Sequence, residues 1–483
     1  MYDNKKTVFS NLIWRFMERC GAQVVSFVVS IVLARILEPE LYGTIALITV
    51  ITSILQVFVD SGMANALIQK KDTDDLDYSS VFYFNVAFCL VLYIGLFFAS
   101  PLISRIYGSP DLVPVIRVLG LTIVVSGVKN VQQAYVAKTM QFRRFFFSTL
   151  GGTLFSAVVG ITMAYRGFGI WALVAQQLLN VTVNTAILWL TVGWKPKLMF
   201  SLRRLGGLVS YGWKLLASAL LDTVYLKLSQ LVVGLKYTSS DLAYYNKGDQ
   251  LCVLVVENIN YSIDSVLLPV LSAEQDNRDH VREMTRRAIK TSSYIMMPLM
   301  MGMAVCAEPL IRLMLTEKWL PCVPFMQIFC AVYAFYPLHT ANLNAIKAMG
   351  HSEIFLRLEI LKELIGIGLL FAAMNISVYA VAVSQLISGL ISLVINAWPN
   401  RGLLGYKLSM QLRDMLPALL LACLMGVCIY PIGLLGMSDW LTLLIQVPLG
   451  IAIYVCGSVI FRIDSFSFML DVLRRLTGRA AEK

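Results

Sequence analysis

Ionisable residues inside apolar helical runs are the part of this sequence best suited to bind a charged ligand. The first run carries Arg15, Glu18 and Arg19, and the second carries Asp60 near its far end. An ionisable group inside a membrane is costly unless it faces a bundle interior or a water-filled cavity. Arg15 and Arg19 are four residues apart and so lie on one helix face. Because a guanidinium matches phosphate oxygens in a bidentate manner, this face predicts the wall of a phosphate-binding cavity.

Cations in later apolar runs extend the same prediction. Lys129 and Lys227 lie too far from their helix ends to reach the membrane interface easily, which favours a place in the cavity. Arg15 and Arg117 lie nearer a helix end, so anchoring at the interface is the alternative for both. For the lysines, binding of a phosphate or acidic sugar competes with pairing to a neighbouring acid. The predicted cationic, substrate-binding set is Arg15, Arg19, Lys129, Lys214, Lys227 and Arg117.

The acidic residues in the apolar runs predict ion coupling or gating. Glu257 lies near the middle of its run, where a carboxylate suits a proton or sodium site or, alternatively, a structural ion pair with a lysine. Asp60 and Asp264 lie at equivalent ends of two helical hairpins, so we expect them to close an inner gate by pairing with Arg15 or Lys214. The predicted coupling or gate acids are Glu18, Asp60, Asp222, Glu257 and Asp264.

The composition indicates the class of protein that positions these residues. Of 483 residues, 58% are hydrophobic and 14% are charged, whereas about a quarter of the residues in soluble proteins are charged. The chain is therefore predicted to be an integral membrane protein with a dozen or more spans. Three scattered histidines and nine cysteines without a C-x-x-C pair argue against histidine catalysis, a metal site or a cofactor. The net charge of +11 fits basic cytoplasmic loops, so nucleic acid is not an expected partner.

Apolar runs separated by turn and charge signals predict an all-α fold with about fourteen transmembrane helices. The expected spans are 11–37, 41–67, 80–105, 111–137, 145–165, 168–193, 210–236, 244–270, 288–316, 320–348, 355–375, 378–398, 413–435 and 438–461. Lysine and arginine concentrate in alternate loops and in the tail, so both termini are predicted to be cytoplasmic. The longest inward loop, 271–287, carries both charge signs and is expected to form a short amphipathic helix on the membrane surface.

A weak internal repeat divides the chain. Trp14 opens the first predicted helix and Trp213 the seventh, while Asp60 and Asp264 end the second and the eighth. Because the copies are separated by six helices, the repeat is parallel, about an axis along the membrane normal. The predicted organisation is an N-terminal lobe at 1–195, a C-terminal lobe at 196–399, and two extra helices with a basic cytoplasmic tail at 400–483.

The turn between the first two helices, together with several later segments, resembles a known family. These segments are Leu33-Ala34-Arg35-Ile36-Leu37-Glu38-Pro39-Glu40-Leu41-Tyr42-Gly43, Asp60-Ser61-Gly62, Ala66-Leu67-Ile68-Gln69-Lys70, Leu268-Pro269-Val270-Leu271-Ser272, Ala341-Asn342-Leu343-Asn344-Ala345 and Lys347-Ala348-Met349-Gly350. They resemble the Wzx-type polysaccharide flippases of the multidrug/oligosaccharidyl-lipid/polysaccharide exporter superfamily, in particular the colanic-acid-type lipopolysaccharide exporters. The resemblance covers nearly the whole chain and implies two six-helix lobes in a V, plus two C-terminal helices.

The resemblance also implies a function. The chain is expected to be a transporter and not an enzyme, and to move undecaprenyl-pyrophosphate-linked oligosaccharide from the inner to the outer leaflet of the bacterial cytoplasmic membrane by alternating access. Expected partners are membrane lipids, H+ or Na+ as coupling ion, and the polysaccharide polymerase and glycosyltransferases of the same pathway. Arg15 and Arg19 match the cationic lumen of the family as inward-facing residues of the first helix.

Three rival functions are weighed against this one. A cation-coupled multidrug antiporter of the same superfamily would need an acidic or aromatic pocket, so the basic N-terminal lobe and the extra helix pair at 413–461 disfavour it. A peptidoglycan-precursor (lipid II) flippase shares the helix number and the basic residues. Only the sequence of the motif segments given above disfavours it. A membrane-embedded glycosyltransferase, polymerase or ligase would need a large outward loop with catalytic acids or histidine, which the predicted topology lacks.

Overall fold

The computed structural model describes residues 5–60, 63–70 and 72–476, and every regular element within those ranges is helical. The chain divides into two compact units, residues 1–243 and 244–483. The all-α membrane fold predicted from the sequence is confirmed. The lobe boundaries at 195/196 and 399/400, which were drawn from the repeat, stay a prediction.

The first unit contains eight helices within its described residues. They are α1 (Lys5–Ile36), α2 (Pro39–Asp60), α3 (Met63–Gln69), α4 (Asp75–Ile106), α5 (Leu112–Lys138), α6 (Phe142–Tyr165), α7 (Ile170–Thr191) and α8 (Leu202–Lys236). α6 packs against α1 and α7, α5 packs against α4 and α7, and α2 packs against α5 and α8. This packing places the C-terminal end of α2 beside the middle of α5, where the first candidate site lies.

The second unit contains the following helices within its described residues, with α9 starting just before the boundary. They are α9 (Ser239–Ala273), α10 (Arg278–Val305), α11 (Ala307–Leu315), a 3-10 turn (Glu317–Cys322), α12 (Val323–Ala334), α13 (Tyr336–Ala348), α14 (Ser352–Ala373), α15 (Val378–Leu403), α16 (Leu408–Gly433), α17 (Asp439–Ile460) and α18 (Asp464–Leu476). α10 packs along α16, α16 packs against α17, and α15 packs against α12, α13 and α14.

Ten helical segments in the described residues are long and apolar enough to span a membrane, or eleven if α10 and α11, which meet at 68°, form one span. Three further helices, α1, α9 and α14, coincide with predicted spans but are not in that set. Each of these three carries five or more ionisable residues, and a charge lowers the mean hydropathy of any window that contains it. The predicted count of fourteen therefore stays a prediction.

Helix geometry and close packing explain two residues at the turn between α1 and α2, Pro39 and Gly43. Pro39 is the first residue of α2, where a missing N–H costs nothing and the fixed φ suits the helix. Gly43 follows one turn later, and a Cβ built on it would lie 1.6 Å from the carbonyl oxygen of Ser239 at the start of α9. Only glycine fits at this approach, which explains the glycine of the family-like motif.

A non-helical linker after α7 is fixed to the start of α4. The Asp74 carboxylate accepts a hydrogen bond from the Asp77 backbone N–H at 2.9 Å and so caps α4. The same hydrogen bond holds the pKa of the Asp74 carboxyl below its ordinary value. From the linker, Trp194 Nε1 and Lys197 Nζ donate to the Asp75 carboxylate at 3.1 and 2.5 Å. The acidic segment before α4 thus caps a helix and binds the linker.

Residues 278–287 do not form the separate surface helix that was expected over the 271–287 loop. They are the first turns of α10, which Asn277 caps by accepting a hydrogen bond from the His280 backbone N–H at 3.1 Å. The prediction was wrong because a capped amphipathic turn continues without a break into the apolar part of the same helix. An amphipathic helix does occur later, as α18 in the predicted tail.

Candidate functional site

The first candidate site is a group of four polar side chains between α2 and α5, here called the Asp60 cluster: Gln56, Asp60, Lys129 and Asn130. Gln56 Nε2 donates to both carboxylate oxygens of Asp60 at 3.1 Å. Asn130 Nδ2 donates to Asp60 Oδ1 at 3.4 Å. Among the described contacts Asp60 and Lys129 form no direct ion pair, but they are near enough for their opposite charges to attract each other. The Lys129 side chain is half-buried, whereas the Asp60 side chain is exposed.

Asn130 joins the Asp60 cluster to the backbone of α2. Its Nδ2 donates to the Val59 carbonyl oxygen at 2.9 Å as well as to Asp60, and its side chain is buried. Hydrogen bonds from amide side chains connect neighbouring helices in membranes. The contact therefore fixes Val59 and Asp60 of α2 on α5, at the residue that follows Lys129.

The second candidate site is the Asp264 pair, formed by Asp264 of α9 and Asn344 of α13. Asn344 Nδ2 donates to Asp264 Oδ1 at 2.7 Å, and Asn344 is buried. The same two residue types thus meet between the second and fourth predicted helices of each half. Lys129 precedes Asn130 in the first unit, but Leu343 precedes Asn344 in the second. Among the side chains that the structure describes, Lys129 gives the first site a cation, and Leu343 stands at the corresponding position of the Asp264 pair.

The other predicted residues whose side chains are described lie outside these two sites. Arg117 Nε donates to Ser100 Oγ at 3.1 Å, and its guanidinium lies 3.9 Å from the centre of the Phe97 ring. These contacts hold the Arg117 guanidinium on the neighbouring helix α4. Lys227 is half-buried on α8. Asp222 of α8 and Glu257 of α9 are exposed.

The predictions for Arg15, Glu18, Arg19 and Lys214 fall on side chains outside the described part of the structure. The expected pairing of Asp60 with Arg15, and of Asp264 with Lys214, lies outside it too. The hydrogen bonds that the structure describes for the two acids come from amide side chains: from Gln56 and Asn130 to Asp60, and from Asn344 to Asp264.

Several polar contacts within the second unit were not singled out from the sequence. Tyr333 donates its hydroxyl to Asp249 at 2.7 Å between α12 and α9. Lys247 is buried on α9, with its ammonium 5.7 Å from the centre of the Trp319 ring. Asp249 and Lys247 lie inside an expected span, as Glu257 does, so the same signal was present. Among the described residues, no group of three histidine, cysteine, aspartate or glutamate side chains is arranged to hold a metal ion.

Comparison with known proteins decides the family. The profile described as "Polysaccharide biosynthesis protein" matches residues 32–324, which is more than half of the chain. The chain belongs to this family. The resemblance based on the α1–α2 turn is thereby confirmed.

Individual relatives of this polysaccharide biosynthesis protein are similar over most of its length. The succinoglycan biosynthesis transport protein ExoT of Rhizobium meliloti (strain 1021) is 23% identical over 99% of this chain and 98% of its own. The lipopolysaccharide biosynthesis protein WzxC of Escherichia coli (strain K12) is 27% identical over 62% of each chain. The teichuronic acid biosynthesis protein TuaB of Bacillus subtilis (strain 168) is 22% identical over 84% of this chain and 85% of its own.

Solved structures show the same fold. The lipid II flippase MurJ in an inward closed conformation has a TM-score of 0.75 and 17% identity, over 94% of this chain and 99% of its own. An inward-facing multidrug resistance transporter of the MATE family has a TM-score of 0.59 and 13% identity, over 79% of this chain and 95% of its own. At these identities the likeness concerns the fold. This polysaccharide biosynthesis protein is a multi-pass membrane protein with a transporter fold.

Proposed function

We propose that this protein is a flippase for undecaprenyl-pyrophosphate-linked oligosaccharide, and that it moves this lipid from the inner to the outer leaflet of the bacterial cytoplasmic membrane. Its nearly full-length similarity to a protein named as a succinoglycan transporter supports transport of a polysaccharide precursor. A membrane-embedded precursor carries its charge on the diphosphate. The protein must therefore offer a cation within the membrane. Lys129, Lys227 and Lys247 all lie inside predicted spans, and Lys129 is the one that belongs to the Asp60 cluster.

The Asp60 cluster carries the proposal. With no substrate present, the Lys129 charge is balanced at a distance by Asp60, which Gln56 and Asn130 hold in place. An incoming diphosphate makes direct charge-assisted hydrogen bonds to the ammonium, which are stronger than the through-space interaction with Asp60. Asp60 then loses part of its compensating charge and becomes able to bind H+ or Na+. Binding of the lipid and binding of the coupling ion are thus linked at one site.

The transport cycle follows from this linkage. The headgroup enters from the cytoplasm while the polyprenyl chain stays in the lipid, and alternating access of the two lobes then exposes the headgroup outward. No bond is made or broken, so the protein is not an enzyme in this proposal. Both termini are cytoplasmic, and the pathway's glycosyltransferases and polymerase act before and after it. Glu257 is a second candidate for the coupling ion because it is an exposed carboxylate within α9.

The test is translocation of labelled undecaprenyl-diphosphate oligosaccharide in inverted vesicles that contain the protein or a variant. Lys129→Met removes the charge at nearly constant volume, and we expect the rate to fall about tenfold to a hundredfold, the loss of a charged hydrogen bond. Leu343→Met, at the corresponding position of the Asp264 pair, is the matched control and should change the rate less than about twofold.

The double variant Lys129→Met/Asp60→Asn separates binding from structural pairing. If Lys129 only neutralises Asp60, removing both charges restores transport, and that result would overturn the proposal. If Lys129 binds the diphosphate, the double variant stays as slow as Lys129→Met. Amounts of inserted protein are compared by quantitative blotting, so that a loss of folding is not read as a loss of transport.

A second candidate substrate is lipid II, because the overall fold resembles that of the lipid II flippase MurJ. Lipid II carries the same polyprenyl diphosphate, so the Asp60 cluster would serve it equally. Vesicles supplied with lipid II in place of the oligosaccharide lipid decide between the two. If the vesicles move neither lipid but expel organic cations, the multidrug antiporter alternative is correct.

A further inference from the structure

A groove in the second unit is lined by residues that belong to neither candidate site. It has a volume of about 570 Å³ and lies where α16, the end of α17, the start of α18 and one residue of α10 meet. Ala418 and Leu421 form its buried floor. Its outer wall consists of exposed apolar side chains: Leu416, Leu420, Leu424 and Phe461. Leu416, Leu420 and Leu424 follow one another at intervals of four along one face of α16. The groove is therefore long, apolar and open.

One end of the groove is lined by charged residues: Lys290, Arg413, Asp414, Arg462 and Asp464. Asp414 accepts hydrogen bonds from Arg286 Nε and Nη2 at 2.7 and 2.9 Å, and Lys290 pairs with Asp464 at 3.2 Å. Both acids are thereby neutralised. Arg413 and Arg462 have no partner among the described residues, and both are exposed. The end of an apolar groove thus presents two uncompensated guanidinium groups.

Arg462 occupies a position that favours glycine. It has a φ of 49° in the turn after α17, where the Ile463 backbone N–H donates to the Ser458 carbonyl oxygen at 3.0 Å. A left-handed residue just after a helix is usually glycine, because a Cβ is strained there. The chain has arginine at this position despite the strain, and the residue lines the groove. A role for the arginine side chain explains why glycine is absent.

We propose that this groove binds one anionic phospholipid of the membrane, with its phosphate at Arg413 and Arg462 and an acyl chain along α16. Guanidinium groups suit a phosphate, and basic pockets between transmembrane helices suit anionic headgroups. The volume corresponds to roughly twenty water-sized groups, which matches about one acyl chain. The charged end coincides with the membrane face that the loop charges predict to be cytoplasmic. The bound lipid is a resident partner distinct from the transported one.

Native mass spectrometry of the full-length protein in detergent tests the proposal by titration with phosphatidylglycerol and, in parallel, phosphatidylcholine. We expect tighter binding of phosphatidylglycerol, weakened about fivefold by either Arg413→Gln or Arg462→Gly and about 25-fold by both. Arg462→Gly relieves the strained turn, so a loss of folding does not explain its effect. Lys407→Gln is the matched control, because Lys407 is an exposed cation at the same end of α16 but outside the groove.

Three outcomes would overturn the proposal. If the wild type and the double variant bind phosphatidylglycerol with equal affinity, the two arginines do not contribute to the site. Equal binding of glycerophosphoglycerol, which lacks acyl chains, shows a simple anion site and no lipid groove. Displacement of phosphatidylglycerol by lower concentrations of undecaprenyl phosphate assigns the groove to the transported lipid. Because this assay measures no transport, its result is independent of the flippase proposal.

Discussion

The Asp60 cluster and the Asp264 pair share an asparagine-to-aspartate hydrogen bond but differ in the groups around it. In both, an asparagine amide on a later helix donates to an aspartate near the end of an earlier one, at 3.4 Å in the first and 2.7 Å in the second. The pair in the second unit is the shorter and simpler contact. The cluster in the first unit adds Gln56 and the Lys129 charge. We infer that the shared amide–carboxylate contact is structural in both units, and that Lys129 is the residue that would bind an anion in the proposed function.

The largest expected effect comes from neutralising the two aspartates separately. Asp60→Asn leaves Lys129 without its balancing charge, so the diphosphate should bind about tenfold more tightly and leave more slowly. The concentration dependence of flipping in vesicles should then show a lower KM together with a lower turnover. Asp264→Asn keeps an amide next to Asn344 and should leave both constants nearly unchanged. Equal effects of the two substitutions would contradict the comparison.

A smaller effect is expected when the two asparagines are replaced by leucine. Asn130 donates to two acceptors, one of them the Val59 carbonyl at the end of α2, whereas Asn344 donates to Asp264. Interhelical hydrogen bonds in membranes contribute about 0.6 kcal/mol on average and at most about 1.7 kcal/mol. Asn130→Leu should therefore lower the melting temperature in detergent more than Asn344→Leu does. The reverse order would show that the shorter contact is the more stabilising one.

The smallest expected effect concerns the residues four positions before each aspartate. Gln56 donates to Asp60 at 3.1 Å within α2, so Gln56→Leu should cost about 0.5 kcal/mol of stability, as for other i,i+4 pairs on one helix. Asn260 precedes Asp264 by the same interval, and its Oδ1 is buried with no hydrogen-bond partner in the described part of the chain. Because leucine removes this unsatisfied oxygen, Asn260→Leu is expected to be neutral or stabilising. Thermal melts of the two variants check the prediction, and a clear loss for Asn260→Leu would refute it.

Much of the fold could be predicted because its signals are local in the chain. The long apolar runs are helices, and the short turn between the first two was visible in the sequence, although α2 begins at Pro39, two residues before the predicted start at 41. The expected loop helix over 271–287 was wrong, because charge composition alone does not tell where a capped helix begins. Of the candidate site, Lys129, Asp60 and Asp264 were selected by their ionisable type inside apolar runs. Asn130 and Asn344 were not, because a neutral amide in a membrane helix has no distinctive signal until its partner is known.

The sequence by itself determined the class of protein, the helical segments and the residues too polar to face lipid, since hydropathy and charge belong to each residue wherever it lies. The tertiary structure alone decided which of those residues meet. Asp60 and Asn130 are 70 positions apart, and Asp264 and Asn344 are 80 positions apart. A contact over such a distance depends on how whole helices pack, and the same helix packing brings two unpaired arginines to the end of one apolar groove.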